Sequence, residues 1–499
     1  MLDKFDTQRE PVPQADKQER KLLEKKLGVL QQQIKALKIP VVVIFEGWGA
    51  SGKGSTVSDL ILNLDPRGFK VYSTQEANSL EKRRPELYRF WDKIPEYGYM
   101  SIFDRSWYMD ISTAVLEEGV EPQLLARRTG DINTFERQLT DDGYVILKFF
   151  LHISKDEQQK RLEKLAGDSH TRWRVTERDW QRNENYSHYY KVFDNMLETT
   201  NTAYAPWYVL DANKRKGAVS QLYRIVIERL EDAIDKKQNP LRAESELKEV
   251  YIADRFLPLK PMPRLSEIDL DHSLTRERYK ALLKEKQERL NLLHNRLYLR
   301  KKPVILVYEG WDAAGKGGNI KRVAAALDPR GYEVVTVAAP EKFELYRHYL
   351  WRFWRQLPKT GHISIFDRSW YGRVMVERLE GFCSHNQWMR AFNEINEFEA
   401  ALHEWGAIVI KFWMHIDKDE QLARFTLRQN TPEKQYKITE EDWRNREKWD
   451  LYEEAVDDMI RYTSTDFAPW QIIESNDKCY ARIKTLDIII DKIEAAIGK

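Results

Sequence analysis

The chain has 499 residues, 42% hydrophobic, 32% charged and 12% aromatic, which excludes a disordered or fibrous protein and suits about two to four domains. Its net charge is +2, from 81 basic and 79 acidic residues, so nothing favours bulk attraction to nucleic acid, and any polyanion site must be a local concentration of Lys and Arg. Mean hydropathy is −0.65, no apolar run approaches the roughly 20 residues of a membrane span, and two cysteines, Cys383 and Cys479, are too few for a disulfide scaffold or a zinc site; the expectation is a cytoplasmic protein with no membrane and no nucleic-acid partner.

In chain order the first element is an amphipathic helix carrying Leu23, Leu27, Leu30, Ile34 and Leu37 at helical spacing. An apolar run at 41–45 follows, as expected of a strand buried on both faces of a parallel sheet. It runs into the sequence EGWGASGKG from Glu46. Further strands are predicted at 70–74, 99–104, 145–153 and 207–211, separated by helical stretches. From Lys236 to Asp271 the chain is polar and carries Pro240, Pro258, Pro261 and Pro263, which suits an extended linker.

The same series then returns. A helix with Leu283, Leu290, Leu293 and Leu297 precedes strands predicted at 304–308, 333–338, 362–367, 408–416 and 470–474. Glu46 and Glu309 open equivalent loops, and one constant offset also relates LDPRG at 64–68 to 327–331, IFDRSWY at 102–108 to 365–371, and APW at 205–207 to 468–470. A period this long marks two copies of one domain. The expected boundaries are a first domain at 1–240, a linker at 241–269 and a second domain at 270–499. Strands alternating with helices make each copy an α/β parallel sheet.

Residues 310–316 read G-x-x-x-x-G-K directly after a predicted strand and before a helical stretch, the context a phosphate loop requires. Gly310 and Gly315 let backbone N–H groups turn toward a phosphate at the positive end of the next helix. Lys316 adds a point charge on the transferring group. Gly317, and Gly54 in the first copy, stand where such loops usually place the Ser or Thr that binds Mg²⁺, and Gly318 follows as a further candidate contact to phosphate. Another residue must hold the metal, and Asp312, inside the loop, and Asp367, ending an apolar strand, are the candidates. A helix N-cap is the structural alternative for Asp367.

The combination of EGWDAAGKGG, LDPRG, FDRSWYGR and APW resembles the polyphosphate kinase 2 family across both halves of the chain. The tandem arrangement resembles the two-domain branch whose acceptor is AMP. The resemblance implies two tandem P-loop kinase domains with a thymidylate-kinase-like fold, each a five-stranded parallel sheet with flanking helices and a helical lid. It implies Mg²⁺ as cofactor, inorganic polyphosphate as donor, and AMP or ADP as nucleotide partner. A lid is expected from about 418 to 459, holding Arg424, Arg428, Lys434, Lys437, Arg444 and Arg446; Lys434 and Lys437 match basic lid positions of the family. Arg368 and Arg373 would neutralise charge in the transition state, and Arg352, Arg378 and Arg428 would contact phosphate. Trp351, Phe353 and Trp354 are expected in the core. A polyphosphate-dependent nucleoside diphosphate kinase, an ATP-dependent nucleotide kinase and a non-catalytic phosphate-binding scaffold stay open, as does a homo-oligomer.

The two copies are not equally equipped. At the constant offset Asp312 becomes Gly49, Lys321 and Arg322 become Ser58 and Asp59, Gly372 and Arg373 become Met109 and Asp110, Arg378 becomes Val115, Arg428 becomes Leu165, and Lys434 becomes Thr171. Lys53, Asp104 and Arg105 remain. The second copy is therefore expected to be catalytic. The acidic replacements at Asp59 and Asp110 predict a first copy less attractive to anions.

Overall fold

The computed structural model describes residues 1–7, 14–117, 119–239 and 257–498. The described residues divide into two compact units, drawn from Met1–Asn78, Glu86–Ile252 and Lys342–His348 in one, and from Ser79–Pro85, Ala253–Glu341 and Tyr349–Lys499 in the other. Residues 240–256, most of the stretch before the last prolines of the expected linker, lie outside the described residues. The part that is described, after 256, packs on the second unit. Lys260 N donates to Ser464 O at 2.7 Å, and Leu265 is buried.

Each unit holds one five-stranded sheet. In the first, β1 (Val41–Gly47), β2 (Phe69–Ser73), β3 (Met100–Asp104), β4 (Val145–His152) and β5 (Trp207–Asp211) lie in the order β2-β3-β1-β4-β5. In the second, β6 (Val304–Gly310), β7 (Tyr332–Thr336), β8 (Ile363–Asp367), β9 (Ile408–His415) and β10 (Trp470–Glu474) lie in the matching order β7-β8-β6-β9-β10. Every pairing is parallel. The central strands are runs of β-branched and aromatic residues because helices cover both faces, and Val304 to Tyr308 are all fully buried. The outer strands β2 and β7 are half-buried or exposed along their whole length instead.

The helix before each sheet spans Lys17–Ala36 and Arg276–Leu299, and buries Leu27, Leu30 and Ile34, or Leu290, Leu293 and Leu297. The predicted apolar stripe is thus a core face in both copies. Trp351, Phe353 and Trp354 are buried, as expected.

The topology fixes where a ligand sits. The chain leaves β6 toward β7 on one side and leaves β8 toward β9 on the other. A crevice therefore opens between the carboxyl ends of β6 and β8, where open α/β sheets take their ligands. Gly310 ends β6 there with φ +149°, and a Cβ would stand 2.5 Å from Met414 O and 2.8 Å from Met414 N on β9. Neither backbone atom has room to yield. Gly310→Ala is expected to lower stability by about 3 kcal/mol or more, read as a lower urea midpoint.

Candidate active site

The loop from Gly310 to Lys316 is built on two left-handed residues, Ala313 (φ 63°) and Gly315 (φ 109°), the latter capping the helix Lys316–Ala324. The amides of the first helical turn therefore face the crevice without partners of their own. The loop is held from beneath by Arg424. Its Nη1 donates to the carbonyls of Ala313 (2.9 Å) and Ala314 (3.0 Å), and its Nη2 to those of Ser475 (2.6 Å) and Asn476 (2.9 Å). Arg424 is buried, so it is a loop prop and not the phosphate-facing lid residue expected from its position. Arg161 does the same for Ala50, Ser51 and Ala212 in the first copy. Arg424→Ala orphans several buried carbonyls at once, and should cost about 3–5 kcal/mol in chemical denaturation.

Lys316 turns back on its own loop, donating to Gly310 O at 2.6 Å and Trp311 O at 3.2 Å. Burial pulls its pKa down and Arg368 adds to this, while Asp312 and Asp367 oppose it. A cation so placed is poised to exchange carbonyl oxygens for phosphate oxygens.

Asp312 stands at the mouth. Its Oδ1 accepts from Arg368 Nη2 at 3.3 Å, its Oδ2 from Asn445 Nδ2 at 3.2 Å, and its backbone O from Gln421 Nε2 at 3.1 Å. Arg368 follows the end of β8 in a left-handed conformation (φ 65°), its amide bonded to Tyr308 O at 3.0 Å; Arg105 repeats this at φ 63°. The strain is local and points the guanidinium side of the turn at the loop carboxylate. Asp367 itself is no helix cap: Ser369 caps the short turn Trp370–Arg373 by accepting from Tyr371 N. The Asp367 carboxylate accepts no hydrogen bond among the described residues, although its charge acts on Lys316 and Arg368.

Beneath this layer lies Glu309, buried at the end of β6 and accepting from Ser369 Oγ at 2.7 Å; burial pushes its pKa up. The turn after β8 is pinned by a buried network. Glu399 accepts from Trp370 Nε1 (3.1 Å) and Tyr371 Oη (2.7 Å) and pairs with Lys411 at 2.7 Å. Glu136, Trp107, Tyr108 and Lys148 form the equivalent cluster in the first copy. The Trp-Tyr pair of the FDRSWY motif is therefore explained by structure alone.

Glu309, Asp312 and Arg368 line the sheet side of a cleft of about 700 Å³ including its open mouth, and Glu441, Asn445 and Tyr452 stand opposite. The opposite wall comes from the segment between β9 and β10, where the lid was expected. It forms the helices Lys418–Gln429, Glu440–Glu447 and Trp449–Thr463. Trp449 stacks on Trp311 of the loop with centroids 3.8 Å apart, which closes one end of the cleft. Burial, with Glu380 and Asp312, raises the Tyr452 hydroxyl to about 12, so it stays a neutral donor.

Other predicted residues stand elsewhere. Arg373 is 15% exposed, pairs with Glu377 at 3.0 Å and covers the Tyr349 ring. Arg378 pairs with Asp458 at 2.8 Å and covers Trp388. Arg352 donates to Ala338 O at 3.0 Å. Arg428 falls in the last turn of its helix, and none of these four lines the cleft. The side chains of Lys434 and Lys437 lie outside the described ones. A Cβ at Gly317 would have nothing within 4 Å, so the first helical turn meets open space, whereas a Cβ at Gly318 would meet Arg482 at 3.4 Å. Sequence reasoning missed Glu309, Gln421, Asn445 and Tyr452. Of these, Asn445 carries a signal, since its counterpart is Arg182.

The donor set suits a hard cation that keeps other ligands. Among the described residues no three His, Cys, Asp or Glu side chains gather into a closed metal cage. Two carboxylates, Asp312 and Asp367, would leave positions on a divalent cation for phosphate and water.

The polyphosphate kinase 2 (PPK2) family model matches residues 12–239 and again 273–498. The polyphosphate:AMP phosphotransferase of Pseudomonas aeruginosa is 41% identical over 487 residues, 97% of both chains. That of Acinetobacter johnsonii is 33% identical over 477 residues, 95% of both. A crystal structure described as a putative polyphosphate kinase 2 from Pseudomonas aeruginosa PA01 superposes with a TM-score of 0.85 at 39% identity, covering 99% of each chain. With both halves matched and the fold shared end to end, the chain belongs to the polyphosphate kinase 2 family.

Proposed function

We propose that this protein transfers the terminal phosphoryl of inorganic polyphosphate to AMP, giving ADP, in the cleft of the second domain (270–499). The observation that carries the reading is the Asp312–Arg368 pair at the mouth of an intact phosphate loop, with Lys316 behind it. Full-length relatives named for this reaction support the choice of donor and acceptor.

The accepting oxygen of AMP is a phosphate oxygen, already ionised at neutral pH. No general base is needed, and catalysis reduces to positioning and charge neutralisation. Lys316 and the loop amides, including those of Gly315, Gly317 and Gly318, hold the transferring group. Arg368 swings between Asp312 and the phosphoryl oxygens. Asp312 and Asp367 would hold Mg²⁺, which when bound neutralises phosphate charge. Arg373 and Arg378 act through the segment they brace. Arg352 and Arg428, outside the cleft, would contact the rest of the polyphosphate chain, a role that the sequence also assigns to Lys434 and Lys437. The first domain (1–240), joined through 241–269, lacks the Asp312 carboxylate and does not turn over. Because one phosphoanhydride replaces another, the reaction runs both ways.

An acceptor matrix tests this reading. With polyphosphate and Mg²⁺ fixed, AMP should give the highest kcat/KM among AMP, GMP, ADP and GDP. A preference for ADP or GDP would replace the AMP reading with a nucleoside diphosphate kinase. EDTA should abolish turnover, since two carboxylates facing phosphate would otherwise repel it.

A further inference from the structure

The first domain keeps a phosphate loop whose surroundings have changed sign. In the second cleft the charged lining is Glu309, Asp312, Glu441 and Arg368, three acids and one base. In the equivalent cavity of the first copy, about 440 Å³, it is Glu46, Arg105 and Arg182, one acid and two bases. Burial pushes the Glu46 carboxyl up, toward its neutral form.

The changes remove one of the two candidate metal carboxylates and add a base to the lining, while Asp104, the counterpart of Asp367, stays. Gly49 stands where Asp312 stands, so Arg105 has no carboxylate to pair with. Its guanidinium has no hydrogen-bond or ion-pair partner among the described residues, while Arg368 binds Asp312. Arg182 replaces Asn445, reaching the cavity while bracketed by Glu117 at 2.6 Å. Lys53 is buried and donates to Gly47 O and Trp48 O at 3.0 and 2.9 Å. Desolvation, with Arg105 and Arg182 among the other causes, pulls it down to about 8, although Asp104 and Glu46 oppose this. Two cations, Arg105 and Arg182, thus line the cavity, and Lys53 ties the loop beside it under the repulsion of both. The Ser51 hydroxyl of the same loop is buried without a hydrogen-bond partner, where the second copy has Ala314. The acidic replacement at Asp59 does not reach this cavity: it is spent in ion pairs with Arg20 (3.4 Å) and Arg215 (2.8 Å).

We infer that the first domain is a metal-independent binding site for a condensed phosphate anion, in which Lys53, Arg105 and Arg182 supply the countercharge that Mg²⁺ supplies in the second. The cavity is smaller than the catalytic cleft, in part because Met109 replaces Gly372, which favours a phosphate chain over a nucleotide. The site binds without transfer: it tethers the anion on the chain that consumes it. Binding stands on the first copy's own residues, and the tethering role rests on the reaction proposed for the second copy.

The test is calorimetric titration of the full chain with inorganic tripolyphosphate in EDTA. Wild type and Lys316→Ala should bind alike. Arg182→Asn installs the second copy's own residue, and Arg105→Asn installs one that tolerates the left-handed backbone. Each should weaken tripolyphosphate at least about tenfold, near 1.4 kcal/mol, and both should diminish the rise in melting temperature that the anion causes. If one variant fails to fold, the other decides. No binding to wild type in EDTA would overturn the proposal. So would binding lost in Lys316→Ala but kept in the arginine variants. AMP bound as tightly as tripolyphosphate, and lost with Arg182, would assign the cavity to nucleotide phosphate instead and equally overturn it.

Discussion

Lys316→Ala is expected to lower kcat by about 10³-fold or more, within the range that a positioned cation supplies to phosphoryl transfer. The side chain is half-buried, and among the described residues its amine donates to the loop carbonyls of Gly310 and Trp311. Its removal leaves the transferring group facing Asp312, Asp367 and Glu309 with Arg368 as the nearest remaining cation. Lys53→Ala should change turnover less than about tenfold, or roughly 1.4 kcal/mol, because its copy has no counterpart of Asp312. Thermal unfolding of both variants must first match wild type, since each lysine also ties its loop. Steady-state kinetics with saturating AMP and polyphosphate then give the ratio. Equal losses would mean that the first loop also turns over or is coupled to the second.

Asp312→Asn should be nearly as severe, with a loss in kcat of about 10²–10³-fold. The substitution keeps the side-chain shape and the backbone bond to Gln421, so stability should hold. It removes one negative donor and loosens Arg368, which then lacks its partner at 3.3 Å. The distinguishing readout is the Mg²⁺ concentration for half-maximal rate. That value should rise for Asp312→Asn and for Asp367→Asn, and stay unchanged for Asn445→Ala, whose neutral amide donates to Asp312 and accepts from Tyr452 Oη at 3.4 Å. A normal Mg²⁺ requirement in Asp312→Asn would remove it from the metal site.

Much of the fold was legible because the central strands are buried on both faces and so read as uninterrupted apolar runs. The predicted 207–211 and 470–474 coincide with β5 and β10, and the others differ by a residue or two at their ends. The repeat made each copy a check on the other. The phosphate loop was legible too, since its glycines answer a backbone need: Gly310 abuts Met414, and Gly315 is left-handed. Side-chain direction was not. Arg424 and Arg428 sit on one short helix of the lid segment, yet Arg424 turns under the loop to satisfy four carbonyls. Arg373 and Arg378 have their carboxylates at 377 and 458, and nothing in one sequence marks those pairings. Glu309 sat inside the quoted motif, but its burial under Ser369 needed the strand register. The inversion of charge around Lys53 was half legible: Gly49 announced the lost acid, while Asp59 suggested repulsion until its own arginine partners were seen.

The most direct measurement is phosphorus NMR of the purified protein with Mg²⁺, polyphosphate and AMP in the absence of ATP. The account predicts that ADP resonances grow as the polyphosphate chain shortens, that the reverse run from ADP lengthens the chain, and that Lys316→Ala shows neither. Robust ADP formation with ATP as donor, and none with polyphosphate, would contradict it.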